Sequence, residues 1–244
     1  MNRATGGRGG ISGSGIVIAV DGPSASGKSS ASRGAARALG LRYLDTGAMY
    51  RALTWWLLAR GIPAGDADAV ARHAADPVIG VGTDPDGPWV TVDGRDVTAA
   101  IRTRKVTGAV SAVARVPQVR ARLIALQREI IARARAEGRG IVAEGRDIGT
   151  VVAPDALVKV YLTASELARA TRRTADLAAD PAVSVTVTQA EQARRDGMDA
   201  AQLAQAPDAV EIDSTVFGLD EVVEMITELA RQRATLPDAA RTTR

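Results

Sequence analysis

Residues Gly22 to Ser29 read GPSASGKS and follow the apolar run Ile16 to Val20, which ends at Asp21; no other stretch limits the possible folds of this chain as strongly. The string fits G-x-x-x-x-G-K-S/T in the setting that pattern needs, a buried strand before it and a helix after it. Small side chains let successive backbone N–H groups turn inward around phosphate oxygens, and the start of the following helix adds unsatisfied N–H groups and the positive end of its dipole. The candidate phosphate-binding set is Gly22, Pro23, Ser24, Ala25, Ser26, Gly27, Lys28, Ser29 and Ser30. Lys28 would reach the β- and γ-phosphates, and Ser29 would offer its hydroxyl to Mg²⁺. ATP or GTP binding is therefore expected. A bare strand-to-helix turn is the alternative, and GTPases, motor ATPases and small-molecule kinases all share such a loop.

Five short apolar runs read as buried parallel strands: Ile16 to Val20, Tyr43 to Leu44, Ile141 to Ala143, Leu157 to Leu162 and Ala209 to Ile212. Helical patterns fall at Lys28 to Leu39, Ala48 to Arg60, Ser165 to Leu177 and Leu219 to Arg233. That alternation predicts an α/β chain with a doubly wound, five-stranded parallel sheet. The expected domain spans 16–233, with its core in 16–60 and 141–233. Residues 61–140 are too many for a loop and predict an insertion. Within it, Asp93-Gly94 sits between alternating residues, as in a tight hairpin, so the insertion should carry a small antiparallel sheet, followed by a long helix from Pro117 to about Glu137. Residues 1–15 and 234–244 read as flexible tails.

Composition closes several chemistries. The chain has no cysteine and one histidine, His73, which leaves little for a thiolate metal site or a histidine-based triad. A formal net charge of +3 gives no support for nucleic-acid or membrane attraction. No uninterrupted apolar run is long enough for a membrane helix, and Thr54 to Ala59 is closed by Arg60 and Gly61. A cytoplasmic protein acting as a monomer is the expectation.

The basic residues point to a second anion. Lysine occurs only at Lys28, Lys105 and Lys159, and the rest of the positive charge is arginine, whose planar fork suits bidentate phosphate contact. Arginine and alanine enrichment also marks compositional bias, so position must select the functional few. LDTGAMYR, Leu44 to Arg51, follows the second strand, and VAEGRDIGTVV, Val142 to Val152, ends the third. In such sheets ligands sit beyond the carboxyl ends of the strands, which lets Thr46, Arg51, Arg146 and Asp147 converge on the phosphate loop.

With IAVDGPSASGKSS, LDTGAMYRAL, GRDVTAAIR, AVSAVARVPQVRARLIALQR, EGRDIGTVVAPDALVKVYLTAS and AVEIDST in this order, the chain resembles the bacterial cytidylate kinases, nucleoside-monophosphate kinases of the P-loop class. The resemblance runs from Ile16 to about Arg233. It implies that Asp147, Arg120 and Thr46 read the acceptor base, that Arg51 and Arg146 flank the acceptor phosphate, and that Ser111, Arg195 and Asp199 lie near the acceptor nucleotide. On residues alone, Asp147 could equally pair with Arg146 or cap a turn, and Arg120 could be a solvated helix residue. The resemblance further implies a lid over about 165–200, with Arg169, Arg172 and Arg173 closing on the phosphates beside Lys28 and Arg146. Thr163 followed by Glu166 reads as the cap of that lid's first helix. The stretch between Arg173 and Arg194 lacks basic residues and reads as a mobile connection rather than a contact surface.

One segment departs from the family. Members continue RRDxxD with Ser, a further Arg and a Pro-Leu pair, whereas here RRDGMD runs into Ala200, Ala201 and Gln202 over a shorter link. A lost charge-assisted hydrogen bond costs about 1.5 to 3 kcal/mol. The implied activity is Mg²⁺-dependent transfer of the γ-phosphoryl of ATP to CMP or dCMP. Its rivals are a kinase for UMP, AMP or a sugar acid, and a nucleotide-binding regulator with weakened catalysis. A GTPase is disfavoured because no Asn-Lys-x-Asp motif occurs.

Overall fold

The computed structural model describes residues 15–176 and 184–235. Nearly all of both tails and the connection at 177–183 lie outside them; Ala234 and Thr235 continue the last helix.

The main sheet contains β1 (Val17–Asp21), β2 (Arg42–Asp45), β6 (Ile141–Gly145), β7 (Val158–Thr163) and β8 (Val210–Asp213). They run parallel in the order β2-β6-β1-β7-β8. The central strand β1 is buried throughout, which is why it reads as an unbroken apolar run rather than an alternating one. Alternate residues nevertheless face different layers. Val17 and Ala19 join one core with Leu44, Leu53 and Leu123, while Ile18 and Val20 join another with Leu39, Val160 and Ile226. The two layers are helical. α1 (Lys28–Leu39) and α8 (Leu219–Thr235) pack together on one face, and α2 (Thr46–Ala59) and α5 (Pro117–Ala136) help cover the other. This is the doubly wound five-stranded architecture expected.

The insertion holds α3 (Ala67–Arg72), a three-stranded antiparallel sheet β3-β4-β5 (Ile79–Val81, Val90–Val92, Arg95–Asp96) and α4 (Arg104–Ala114) before α5. The expected hairpin is present. Asp93 and Gly94 have φ of 50° and 78°, both left-handed, the backbone of a tight two-residue turn. Asp93 is held there by accepting the Val78 N–H and the Trp56 indole N–H, each at 2.8 Å.

Two expectations for the lid need correcting. Thr163 does not cap α6 (Glu166–Asp176), because Thr163 ends β7 and its carbonyl accepts the Ser214 N–H. Ser165 caps it instead, its hydroxyl accepting the Ala168 N–H at 3.3 Å. The region before Arg194 is not a mere connection either. From Val185 it forms α7 (Val185–Asp199), capped by Ser184, with Thr188 and Gln192 buried and α6 packed against it. Its Glu191 pairs with Arg104 of the insertion at 2.5 Å, so this section is a contact surface.

Candidate active site

The carboxyl ends of β1, β2 and β6 open into a cavity of about 940 Å³. Its floor is the phosphate loop. Gly22 turns the chain out of β1 at φ +148°, where a Cβ would stand 2.1 Å from the Leu162 carbonyl, so no other residue fits. Ala25 and Gly27 also take left-handed φ, of 58° and 90°, folding the loop into a concave turn ahead of α1. Ser24 through Ala31 line the cavity, and Gly22 and Pro23 lie behind it.

Lys28 is half-buried at the loop and donates to the Pro23 carbonyl at 2.9 Å. Burial, and next the neighbouring Arg146 charge, push its ammonium down to about 8, against the pull of Glu144, Asp45 and Asp21. Glu144, at the end of β6, is pushed up by burial and then by Asp45. It accepts the Tyr43 hydroxyl at 2.6 Å and is hydrogen-bonded to the Ser29 side chain. A hydroxyl and a carboxylate at the head of a phosphate loop are hard oxygen donors of the kind Mg²⁺ takes alongside phosphate oxygens. Among the described residues no cluster of three or more His, Cys, Asp or Glu could hold a metal by itself.

The arginines expected on the loop arrive from distant elements and grip its backbone. Arg146 donates to the Gly22 carbonyl at 2.7 Å and pairs with Asp199 at 3.1 Å. Arg169 donates to the Ser24 carbonyl at 3.2 Å and pairs with Asp196. Arg172 reaches the Ser26 carbonyl at 3.4 Å and both the hydroxyl and the carbonyl of Ser214 at 2.9 and 2.6 Å. Arg146, Arg172 and Arg173 line the cavity, whereas Arg169 lies buried behind its wall.

On the opposite side stand Thr46, Arg51, Ser111, Arg120, Asp147, Arg195 and Asp199, all on the cavity wall. Arg51 is braced at 2.8 Å by Asp45, which also caps α2 by accepting the Ala48 N–H. Thr46 spends its proton on the Glu144 carbonyl at 2.7 Å, leaving its oxygen as an acceptor. Asp147 pairs with Arg120, not with its neighbour Arg146, and Arg120 is therefore no solvated helix residue. Ser111 is 2% exposed and its hydroxyl has no partner; the Nε atoms of Arg51 and Arg195 are likewise buried and unpartnered. Burial, followed by the charge of Arg146, lowers Arg195 to about 10. Nine cationic side chains against four carboxylates line the whole cavity, an excess suited to polyanions.

A family model described as cytidylate kinase matches residues 18–232. The chain belongs to the cytidylate kinase family. Curated relatives named cytidylate kinase agree: one from Streptomyces coelicolor is 50% identical over 89% of this chain and 94% of its own. One from Streptomyces griseus is 49% identical over 88% and 93%, and one from Mycobacterium avium 49% over 90% and 96%. The match covers the phosphate loop, the insertion, α6 and α7 alike. No described helix is long and apolar enough to cross a membrane.

Reading the sequence missed Asp45, Glu144 and Asp196, the carboxylates beside Arg51, Lys28 and Arg169, and Asp21, which holds two backbone amides. Each stands one to four residues from a motif position, and a search for acids flanking the motifs would have found them. Tyr50, within the motif after β2, and Gln202, in the segment that departs from the family, also stand on the wall.

Proposed function

We propose that the chain transfers the γ-phosphoryl group of ATP to the phosphate of CMP or dCMP, giving ADP and CDP or dCDP. The pairing of Asp147 with Arg120 on the cavity wall carries this reading of the acceptor. Cytosine presents an amino donor beside two acceptors, so a carboxylate next to a guanidinium matches that edge, while uracil would turn a carbonyl toward Asp147. Thr46, with its proton already given away, adds an acceptor for the amine. The unpartnered Ser111 hydroxyl and the Asp199 carboxylate suit the sugar hydroxyls.

The acceptor is itself an anion, so no strong base is needed and the work is positioning and charge compensation. Arg51 and Arg195, each with a buried Nε lacking a partner, would hold the acceptor phosphate. Lys28 and the loop amides would hold the β- and γ-phosphates, and Arg172 and Arg173 would approach from the lid. Arg146 touches the loop at one end and Asp199 at the other, and these contacts support its compensating charge between the reacting oxygens. Arg169 acts through the loop, by fixing the Ser24 carbonyl. Mg²⁺ would be held by Ser29 with Glu144 behind it, and when bound it neutralises charge between the terminal phosphates. Monomeric action in the cytoplasm, without nucleic acid or membrane, accords with the modest net charge.

The deciding experiment is an ADP-coupled assay with ATP and each common monophosphate. CMP and dCMP should be turned over at least tenfold more efficiently than UMP or AMP. Equal use of AMP would break the assignment, and tight CMP and ATP binding without ADP formation would favour the regulator.

A further inference from the structure

Asp21 is the last residue of β1, buried at 5% exposure between Gly145 of β6 and Tyr161 of β7, and it is not on the cavity wall. Its two oxygens are both occupied. Oδ1 accepts the Ile148 N–H at 2.8 Å and Oδ2 the Gly149 N–H at 2.7 Å. Those amides begin the wide, π-type helical turn Ile148–Val152, which directly follows Arg146 and Asp147. Arg146 in turn donates to the carbonyl of Gly22, the residue next to Asp21. Two consecutive residues at the head of the phosphate loop thus hold three residues of the acceptor turn, Arg146, Ile148 and Gly149, with Asp147 between them.

A buried carboxylate without a paired cation is costly unless its hydrogen bonds are made, and Asp21 makes both to backbone. Burial disfavours its ionised form, the two amides favour it, and the charge of Asp147 acts against it while that of Lys28 acts for it. An amide of the same shape could accept only one of the two N–H groups and would turn its own N–H₂ toward the other. Shape alone therefore does not account for an acid here.

We propose that Asp21 is a positioning residue for the acceptor nucleotide: by holding the Ile148 and Gly149 amides it sets where Arg146 and Asp147 stand relative to the phosphate loop. This rests on the assignment of Asp147 and Arg146 to the acceptor side. Donor binding, which uses the loop's own amides, depends on it much less.

The test is titration calorimetry of ATP and CMP with Asp21→Asn, alongside Ile148→Ala, which removes buried apolar contact but keeps both amides. Asp21→Asn should weaken CMP at least tenfold and ATP less than threefold, and Ile148→Ala should leave CMP within threefold. Equal weakening of ATP and CMP, unchanged CMP affinity, or an equal CMP loss in Ile148→Ala would each overturn the proposal. Should Asp21→Asn not fold, Asp21→Glu decides, since it keeps the acid and its charge but carries the carboxylate one methylene further and shifts both oxygens off the Ile148 and Gly149 amides. CMP should weaken about threefold there with ATP unchanged, and no change would overturn the claim. If the parent protein binds a different monophosphate in place of CMP, the acceptor reading fails by itself, and the same variants are titrated with that nucleotide.

Discussion

The proposed donor side of the cavity is one unbroken stretch, Ser24 to Ala31, whereas the proposed acceptor side draws Thr46 and Arg51 from α2, Ser111 from α4, Arg120 from α5, Asp147 from the turn after β6 and Asp199 from α7. Their electrostatics differ too. Around the loop Arg146, Arg169 and Arg172 all bond backbone carbonyls, although Arg169 is also paired with Asp196 and Arg146 spans both sides. Across the cavity each of three arginines is set by an acid: Arg51 by Asp45, Arg120 by Asp147 and Arg146 by Asp199. A run of amides recognises phosphate whatever is attached to it, while side-chain pairs at fixed spacing can read a base. Generic donor binding is thus local in the chain, and acceptor choice is spread across the fold.

Lys28→Ala strikes the local half hardest. With the loop's only cationic side chain gone, turnover should fall by roughly a thousandfold while the melting temperature changes little. An ADP-coupled assay measures it, and turnover near the parent's would break the division just drawn. Asp147→Ala probes the dispersed half. It leaves Arg120 without its acid and should raise the CMP requirement roughly ten- to a hundredfold, with the ATP requirement within about twofold. Similar effects on both nucleotides, in steady-state kinetics with each varied, would show that the two sides are not separable.

The acidity of Lys28 sharpens the comparison along the pH axis. Phosphate needs the ammonium, and the free protein holds Lys28 near 8 instead of its ordinary 10.5. ATP affinity should be level below about 8 and fall as pH rises above it, approaching tenfold per unit, with proton uptake on binding. Calorimetry in buffers of different ionisation enthalpy would detect that uptake. For the unliganded fold the sign reverses: the unfolded chain binds the extra proton between about 8 and 10.5, so stability rises with pH across that window. The smallest effect concerns Gln202, an uncharged amide on the acceptor wall where the short turn after α7 ends. Gln202→Arg should tighten CMP several-fold, up to about tenfold, without changing ATP. Weaker CMP binding would mean that this wall already holds enough positive charge.

Contiguous features were legible. The phosphate loop, β1 and the Asp93-Gly94 turn each depend on neighbours within a few residues, through left-handed backbone or an apolar run, and such neighbours are visible in a string. Thr163 misled because the Thr-x-x-Glu spacing that suits a cap also occurs where a strand runs on, and only pairing with β8 shows that Thr163 belongs to β7. The region around Glu191 lacked basic residues and looked idle, yet its contact with Arg104 is made through an acid on α7 meeting the insertion.

The order of residues by itself therefore determined the parallel sheet, the phosphate loop and the cations available for catalysis, since strand burial, turn geometry and charge type are properties of short stretches. Tertiary structure alone decided which acid holds which arginine: Asp147 with Arg120, Asp199 with Arg146, and Asp21 with two backbone amides. The reason is range. A hydrogen bond or ion pair needs atoms within a few ångström, and only the parallel pairing of β1 with β6, with α5 and α7 beside their carboxyl ends, brings together groups separated by tens of residues or more in the chain.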